Sequence, residues 1–478
     1  MSLSIYIYNT LTRSAELFQP LNPPLVKTYF CGPTVYDHTH LGHVRSYLSF
    51  DFIKRYLKLR GYTVFHVQNI TDIDDKIIRR ANEEGVLWNE VANRYAKEYL
   101  EVLQKLNIVV DVHPRVTEHI KEIIEFIEKL VEKGYAYVAS SGSVYFDVST
   151  VSDYGKLSKR SRSEEWRQEE EYLAEKKNPY DFALWKAAKP GEPWWESPWG
   201  RGRPGWHTEC AVMSSRYLGT QFDIHGGGQD LIFPHHENEI AMAEAAYGAR
   251  PWVRYWIHMG YLTIRGEKMS KSLGNIVTAR EALDKWGSEV LRLWAFSAHY
   301  RKQLEFEENI LDSFKVLYQR LVTAVEITKK IIRSSNVVHH LSDDDIAVLS
   351  KLEEYEMLFH KAMSEDFNTP KALEAVNGVA SIVFKEIEER ERLELALRAY
   401  SILSSFNTVL GVLDKQLRDR VEVDLGVVEK LVDLIIKVRA ELRKRRDYEL
   451  SDRIRQELLA LGIKVFDYKD ESKWVWER

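Results

Sequence analysis

The sequence predicts an α/β protein with a parallel sheet in its first part and an all-helical region behind it. Short β-forming runs alternate with longer stretches of helical periodicity, and glycine or proline residues separate them. After about residue 309, apolar residues recur almost only at helical spacing. Open α/β sheets bind ligands at the carboxyl ends of their strands, so the residues after each predicted strand are the candidates for a functional site.

Length and composition exclude several classes of protein. A chain of 478 residues, 45% hydrophobic and 29% charged, is typical of a globular protein of roughly two to four domains. The net charge of −5 excludes a bulk cationic nucleic-acid binder, so nucleic-acid contacts would come from local patches. No apolar run is long enough to span a bilayer, and no signal-peptide pattern is found. Two cysteines predict no disulfide framework and indicate a reducing cytoplasm.

A strand–helix–strand unit is predicted near the start of the chain. Val26 to Cys31 reads as a strand, Leu41 to Arg60 as a helix, and Thr63 to Val67 as a second strand. The helix opens with the sequence HLGH, in which His40 and His43 share one helical face. A helix start favours a phosphate, and Gly42 lets a ligand approach the backbone. An ordinary polar cap is the alternative.

Two further segments have a pattern suited to a nucleotide. Gly226 to Asp230 follows a predicted strand, where glycines admit a nucleoside and Asp230 can accept from ribose hydroxyls. Lys268 to Ser272 reads KMSKS and follows a strand and a glycine turn. Two lysines three residues apart, with small hydroxyl residues, form a cationic clamp for a polyphosphate. The alternatives are an ordinary turn and a solvated charged loop.

A metal site is predicted from four residues. His235 and Glu239 are four residues apart on a predicted helix that starts at Pro234, so they share a face. Cys31 and Cys210 both adjoin predicted strands of the same sheet. Two thiolates, one imidazole and one carboxylate form an acceptable zinc set. His236 is three residues from Glu239, so spacing does not exclude it. Taken singly, a buried cysteine or a surface His–Glu pair is the ordinary alternative.

The two motifs together resemble the paired signatures of class I aminoacyl-tRNA synthetases. HLGH precedes KMSKS in that family's order, with an insertion between them. The segments 30–37, 205–210 and 233–239 are similar to the cysteinyl-tRNA synthetase family in particular. The resemblance implies a Rossmann-like parallel-sheet catalytic domain (1–305) with an inserted connective region (about 110–200) and a KMSKS loop region (about 261–305). A helical bundle (306–415) and an anticodon-recognition region (416–478) would then form an all-α tRNA-binding part.

The resemblance also implies an activity and its residues. L-Cysteine would be activated by ATP to cysteinyl-adenylate and transferred to the 3′-terminal adenosine of tRNA(Cys). The catalytic residues would be His40, His43, Lys268 and Lys271. ATP would contact these four with Gly42, Gly228, Asp230 and Met269. Cysteine would contact Cys31, Thr71 and Trp206. One zinc ion per chain would be held by Cys31, Cys210, His235 and Glu239, since the resemblance favours His235 over His236, and Mg²⁺ would accompany ATP.

Zinc would explain how cysteine is selected. A hydrophobic pocket separates such similar side chains by only roughly 10–200-fold. A thiol loses its proton on zinc, whereas a serine hydroxyl is a harder and far less acidic ligand. For tRNA, the basic segment 437–446 suits phosphates, and Tyr468, Trp474 and Trp476 suit stacking on anticodon bases. A monomer is expected.

Two rival functions remain at this point. One is a related ATP-dependent ligase that joins cysteine to an amino sugar, although such relatives lack the long helical domain. The other is a non-catalytic RNA-binding paralogue, against which the intact HLGH and KMSKS sequences argue.

Overall fold

The structure is a computed structural model that describes residues 3–160, 170–264, 266–268, 276–334, 341–417, 425–445, 447–460, 462–467 and 472–476. The chain divides into two compact units, residues 1–417 and 418–478. Within the described residues, no helix is both long enough and apolar enough to cross a membrane.

The first half of the larger unit begins with a short hairpin and continues as alternating strands and helices. Its elements are β1 (Tyr6–Asn9), β2 (Ser14–Leu17), β3 (Leu25–Phe30), α1 (Leu41–Leu59), β4 (Thr63–Gln68), α2 (Asp75–Glu84) and α3 (Trp88–Lys105). An inserted region follows, with α4 (Ile120–Glu132), β5 (Ala136–Val138), β6 (Val144–Phe146), β7 (Phe182–Ala187) and β8 (Gly202–Pro204). The chain then forms α5 (Trp206–Leu218), β9 (Phe222–Gly228), α6 (Glu237–Tyr247), β10 (Val253–Met259), β11 (Leu262–Ile264), β12 (Glu267–Lys268), α7 (Ala279–Phe296) and β13 (Leu304–Glu305).

The central sheet is parallel and has the strand order β10-β9-β3-β4. Its strands come from both sides of the inserted region, so residues far apart in sequence meet at one sheet edge. Helix α1 packs its apolar residues beneath this sheet, and Leu41, Val44 and Leu48 are fully buried. The predicted α/β fold class with a parallel sheet is confirmed.

The inserted region contains an antiparallel sheet of order β5-β6-β7-β8. Strands β5 and β6 form an antiparallel hairpin. Strands β7 and β8 were not predicted, because β8 is a three-residue GRP segment and both are strands through their pairing with β6 and with each other. Gly202 is required where β8 crosses Trp185, because a Cβ there would lie 2.2 Å from the indole nitrogen.

Helices form the rest of the larger unit. They are α8 (Glu308–Ser334), α9 (Asp343–Ser364), α10 (Thr369–Ile382), α11 (Glu388–Arg390), α12 (Leu393–Leu410) and α13 (Asp414–Leu417). Their buried faces join the same hydrophobic core as α1 and α7. The change to an all-helical pattern near residue 309 is therefore confirmed for the larger unit. The expectation that the rest of the chain is all-α was wrong for the smaller unit, which contains a β-hairpin.

The smaller unit contains α14 (Leu425–Lys444), α15 (Tyr448–Ala460), β14 (Ile463–Asp467) and β15 (Ser472–Trp476), the two strands forming an antiparallel hairpin. Arg439 is fully buried and binds both oxygens of Asp467 at 2.5 and 2.8 Å. Arg443 binds the same carboxylate at 2.8 Å. These two arginines of the predicted phosphate-binding segment therefore stabilise this unit's own fold, whereas Lys437, Lys444 and Arg445 are exposed.

Two local sequence predictions were wrong. Gly226 to Gly228 lie inside β9 and do not form a turn after it. A Cβ on Gly227 would lie 2.8 Å from Leu231 and 3.0 Å from His236, so glycine permits close packing over the strand. The helix predicted from Pro234 begins at Glu237, because a distorted turn at 232–236 with extended backbone at Phe233 precedes it.

Candidate functional site

A cavity of about 340 Å³ opens at the carboxyl ends of the central strands. One wall is the start of α1, where His40 is the N-cap residue and its ring stacks on His43 at 3.7 Å. His40, Gly42 and His43 all line the cavity. The predicted HLGH residues therefore line one surface at the positive end of the α1 dipole, which favours an anion.

The chain on either side of the KMSKS loop contacts the HLGH segment or the same cavity. Leu41 N–H donates to Val277 O at 3.0 Å, and Ala279 N–H donates to Thr39 O at 2.7 Å. On the other side, β12, which includes Lys268, pairs with β11. The side chain of Lys268 and all of Met269 and Lys271 lie outside the described residues. The backbone that follows the loop, at 277–279, is thus hydrogen-bonded to the HLGH segment, which lies far away in sequence.

The opposite wall comes from the ends of β9 and β10. Gly228, Asp230 and Leu231 line it together with Met259 to Leu262. A Cβ on Gly228 would lie 2.4 Å from Asp230 Oδ1, so glycine allows the carboxylate to turn back over the strand end. The two residues predicted from sequence to bind the nucleoside thus line the same cavity as the HLGH segment.

The four predicted zinc ligands meet at the base of the cavity. Cys31 follows β3, Cys210 lies in α5, His235 in the turn at 232–236, and Glu239 in the first turn of α6. Their ligand atoms lie within 4.8 Å of one another, and all four residues are buried. The two sulfur atoms are 3.9 Å apart, and His235 Nε2 is 2.8 Å from Glu239 Oε1.

A second set of possible metal ligands shares two of these residues. It consists of Cys31, His225, His236 and Glu239, whose ligand atoms also lie within 4.8 Å of one another. His236 Nε2 is 3.2 Å from Cys31 Sγ, while its Nδ1 is 2.8 Å from His258 Nε2. Cys31, Cys210 and His235 line the cavity, whereas His225, His236 and Glu239 are not among the lining residues. The second set therefore lies behind the first.

Sequence analysis missed most of this histidine cluster. His207, His225 and His258 lie within the site, in addition to His235 and His236. His225 Nε2 binds Glu239 Oε2 at 2.7 Å, and His207 Nδ1 lies 3.1 Å from His235 Nδ1. A usable signal was present, because five of the chain's 15 histidines fall between residues 207 and 258.

Burial and mutual charge shift the pKa values of these groups in opposite directions. Burial opposes ionisation of Glu239, but His225 and His235 outweigh it and lower its pKa to about 2. Burial likewise disfavours charge on His235, yet Glu239 raises the pKa of His235 to about 10. Hydrogen bonds from Cys31 and His235 lower the pKa of Cys210 to about 6 against its burial. The charges of the cluster are thus interdependent, because the anionic forms of Glu239 and Cys210 and the charged form of His235 stabilise one another, while burial raises the pKa of the Cys31 thiol.

The predicted cysteine-binding residues lie beside this cluster. The Trp206 ring stacks on His235 at 4.3 Å. Thr71 follows β4 and lines the cavity, and its hydroxyl donates to Glu209 Oε2 at 2.9 Å. Asn69 lines the cavity as well, and its Oδ1 lies 3.7 Å from Cys210 Sγ. Sequence reasoning did not find Asn69 and Glu209.

Comparison with known proteins assigns the family. Residues 17–316 match the family model described as the class I (C) tRNA synthetase catalytic domain, and residues 358–414 match the DALR domain. A cysteine–tRNA ligase of Staphylothermus marinus is 56% identical over 98% of this chain and 99% of its own length. A cysteine–tRNA ligase of Aeropyrum pernix is 53% identical over the same shares. In fold, the chain is similar to a Mycobacterium tuberculosis methionyl-tRNA synthetase bound to methionyl-adenylate, with a TM-score of 0.60 and 15% identity over 86% of this chain and 94% of that one.

The parallel sheet, the paired motifs and the matched catalytic domain define a class I aminoacyl-tRNA synthetase. Identity over nearly the full length narrows that class: the chain belongs to the cysteine–tRNA ligase family.

Proposed function

We propose that this protein activates L-cysteine with ATP and transfers it to the 3′-terminal adenosine of tRNA(Cys). The observation that carries the proposal is the position of Cys31, Cys210, His235 and Glu239 at the base of a cavity whose upper wall is the HLGH segment. A thiol-selective site and a phosphate site would thus face one another across the space of a small adenylate.

The donor set at the base of the cavity fits zinc. Two thiol groups, one imidazole and one carboxylate meet with all four ligand atoms within 4.8 Å of one another, and all four residues are buried. Soft sulfur donors favour zinc over the hard cations Mg²⁺ and Ca²⁺. Zinc held there would accept the substrate thiolate as an added ligand and bind a serine hydroxyl poorly at neutral pH.

We favour His235 over His236 as the imidazole ligand. The set with His235 contains both sulfur atoms, and three of its four members line the cavity where a substrate thiol would arrive. His236 is instead bonded through Nδ1 to His258 Nε2 at 2.8 Å and does not line the cavity. His236 is then a neighbour that packs against the proposed ligands.

Adenylate formation would need positioning and charge stabilisation and no protein nucleophile. The cysteine carboxylate oxygen attacks the α-phosphorus of ATP, and the bond to the bridging oxygen breaks as pyrophosphate leaves. His40 and His43 at the start of α1, with Lys268 and Lys271, would stabilise the charge on the phosphates, which Mg²⁺ accompanies. Gly42 leaves room for ATP over the helix start.

The rest of the pocket would hold the two substrates. Thr71 and Trp206 border the zinc ligands, so the body of the amino acid would lie between them and Cys31. Gly228 and Asp230, which line the cavity, would bind the nucleoside. By family resemblance Met269 would contact ATP as well, and it lies outside the described residues.

In the second step a ribose hydroxyl of the terminal adenosine attacks the adenylate carbonyl and AMP leaves. By family resemblance this is the 2′-hydroxyl. The DALR match at 358–414 supports a tRNA partner, and we propose the division into 1–305, 306–415 and 416–478 for catalysis, bundle and anticodon recognition. Trp474 donates to Asp433 at 2.8 Å, while Tyr468 and the side chain of Trp476 lie outside the described residues.

The two buried, unpaired cysteines suit a reducing compartment, so we propose that the protein works in the cytoplasm. We also propose that it works as a monomer, which light scattering would test.

The decisive experiment combines three measurements on the purified protein. Cysteine-dependent exchange of pyrophosphate into ATP tests activation, transfer of labelled cysteine to total tRNA tests charging, and metal analysis tests for one zinc per chain. Exchange without charging would favour the amino-sugar ligase, and the absence of both would favour a non-catalytic RNA-binding protein.

A further inference from the structure

Arg45 is a buried arginine of α1 that binds main-chain oxygens. It lies two residues after His43 and is 0% exposed. Among the described residues no carboxylate pairs with it, and burial lowers its pKa to about 10. An apolar side chain of similar size would avoid the cost of a buried charge, so we expect the guanidinium group to be kept for the contacts that it makes.

The guanidinium group joins two segments that lead into neighbouring strands of one small sheet. Its Nη1 donates to Gly260 O at 2.8 Å and to Tyr300 O at 3.4 Å. Its Nη2 donates to His299 O at 3.3 Å and to Lys302 O at 2.5 Å. Gly260 lies just before β11, whereas residues 299–302, the bridge segment, lie just before β13. Because β11 pairs with both β12 and β13, one side chain binds the start of two paired strands.

The two segments are packed directly against each other. A Cβ on Gly260 would lie 2.3 Å from Lys302 O, so only glycine permits this approach. The Gly260 N–H donates to Tyr300 O at 2.8 Å, and the Leu304 N–H donates to Tyr261 O at 3.0 Å. A contact that fixes one segment therefore fixes the other.

The bridge segment is also bound on the side away from Arg45. The Tyr300 hydroxyl donates to Asp366 Oδ1 at 2.6 Å, and Arg301 Nε donates to Asp366 Oδ2 at 2.7 Å. Asp366 lies between α9 and α10 and also accepts from the Tyr8 N–H of β1 at 2.8 Å. Arg45 therefore binds a segment whose position is set by contacts with three other elements.

These contacts connect two parts of the cavity lining. The first is the HLGH segment, which shares one helix with Arg45. The second is the segment 259–262, which continues through β11 to β12 and Lys268. Both parts are proposed to act on the phosphates of ATP, so the distance between them determines whether they can act on the same phosphates.

We propose that Arg45 is a positioning residue that holds β11 and β12, and with them Lys268, at the distance from the HLGH segment that adenylate formation requires. This inference rests on the proposed function. It predicts that Arg45 affects the reaction rate through Lys268 and takes no part in binding zinc or cysteine.

The test is a double-mutant cycle on the full-length, zinc-loaded protein, with Arg45→Lys and Lys268→Ala made singly and together. Lysine keeps the positive charge but lacks the planar fork that reaches both segments. Single-turnover formation of the adenylate should slow about 10- to 100-fold in Arg45→Lys. When Lys268→Ala is already present, the same substitution should cost less than about twofold, because residues that act through one another are not additive. Zinc content and the Kd of cysteine should be unchanged.

Arg292→Lys is the matched control for a general loss of stability. Arg292 is also fully buried and donates to main-chain oxygens, but these belong to Leu106 and Leu410. Any loss of rate in this variant should be the same fold-change with and without Lys268→Ala.

Tyr300→Phe provides a second variant if Arg45→Lys folds poorly. It removes the hydroxyl that binds Asp366 and keeps the main-chain oxygen that Arg45 binds, so it loosens the bridge segment from its other side. Its loss of rate should likewise be largely absent when Lys268→Ala is present.

An unchanged rate in Arg45→Lys, or an equal fold-loss with and without Lys268→Ala, would overturn the inference, and the same criteria apply to Tyr300→Phe where it is used instead. Such a result beside a wild type that performs cysteine-dependent pyrophosphate exchange contradicts only the role of Arg45. A wild type without that exchange contradicts the proposed function itself.

Discussion

His225 Nε2 lies 2.7 Å from Glu239 Oε2, and both side chains are fully buried. The other oxygen of the same carboxylate lies 2.8 Å from His235 Nε2. His225 therefore orients Glu239 so that one oxygen stays directed at the cluster of thiols. In metal sites such outer partners typically change affinity by roughly 10–100-fold when they are removed.

His225→Ala should accordingly weaken zinc binding by about 10–100-fold without removing a proposed ligand. The zinc dissociation constant, measured by competition with a chromophoric chelator, checks this. His113→Ala is the control, because His113 binds the backbone oxygen of Gln68 at 2.9 Å outside the cluster. Equal zinc affinity in both variants would show that His225 does not orient the ligand.

Cys210→Ser should lower zinc content and cysteine activation together. Serine is a harder donor than the Cys210 thiolate, whose pKa is lowered to about 6. Both the affinity for zinc and the selection of the substrate thiol should therefore decrease. Metal analysis and pyrophosphate exchange on the same preparation measure the two effects. Ser214→Ala, one turn further along α5, should change neither. Normal activation by a zinc-free Cys210→Ser protein would refute the proposed role of the metal.

Lys271→Ala should slow adenylate formation by roughly 100- to 1,000-fold and leave zinc content intact. The reason is that the Lys271 ammonium group would stabilise the charge on the phosphates in the transition state and would have no part in binding the metal or the substrate thiol. Single-turnover formation of the adenylate measures the rate, and Lys285→Ala, a change at a partly exposed lysine of α7, serves as the control. An unchanged exchange rate would mean that Lys271 has been misassigned.

Asp51→Asn should destabilise the larger unit by about 3–5 kcal/mol, since it leaves a buried guanidinium without its counter-ion. Arg292 is fully buried and joins Asp51 Oδ2 at 2.9 Å, Leu106 O at 2.8 Å and Leu410 O at 2.6 Å. Chemical denaturation at pH 7 measures the loss, and the exposed Asp284→Asn should cost little.

The same pair predicts a pH dependence. Burial alone would raise the pKa of Asp51, but Arg292, Arg55 and Lys54 outweigh it and hold the pKa below its usual value. The stabilisation is therefore complete above the unfolded-state pKa of about 4 and is lost as the pH falls through the lower, folded-state value. The difference in unfolding free energy between wild type and Asp51→Asn should shrink below about pH 4, and a constant difference would contradict this account.

Local patterns were sufficient for much of the fold. The alternation from Val26 to Cys31 and the helical spacing after Leu41 predicted β3 and α1 within one or two residues. Strands β7 and β8 were missed because they are strands through their pairing and not through their own residue pattern. The close approach of Gly202 to Trp185, which requires a glycine, exists only in the folded chain. Residues at the cluster were likewise predictable where spacing along one element sufficed, as for His235 and Glu239.

The sequence by itself determined the class of fold, the order of the HLGH and KMSKS motifs and the residue types of the predicted metal cluster. These properties depend on neighbours along the chain or on motif order, which the linear sequence contains in full. Only the tertiary structure decided that His225 bonds to Glu239, that His236 lies outside the cavity lining, and that Thr71 donates to Glu209. The physical reason is that each of these relations depends on hydrogen bonds and burial between elements that the chain brings together only when the parallel sheet closes, as for Thr71 and Glu209, 138 residues apart.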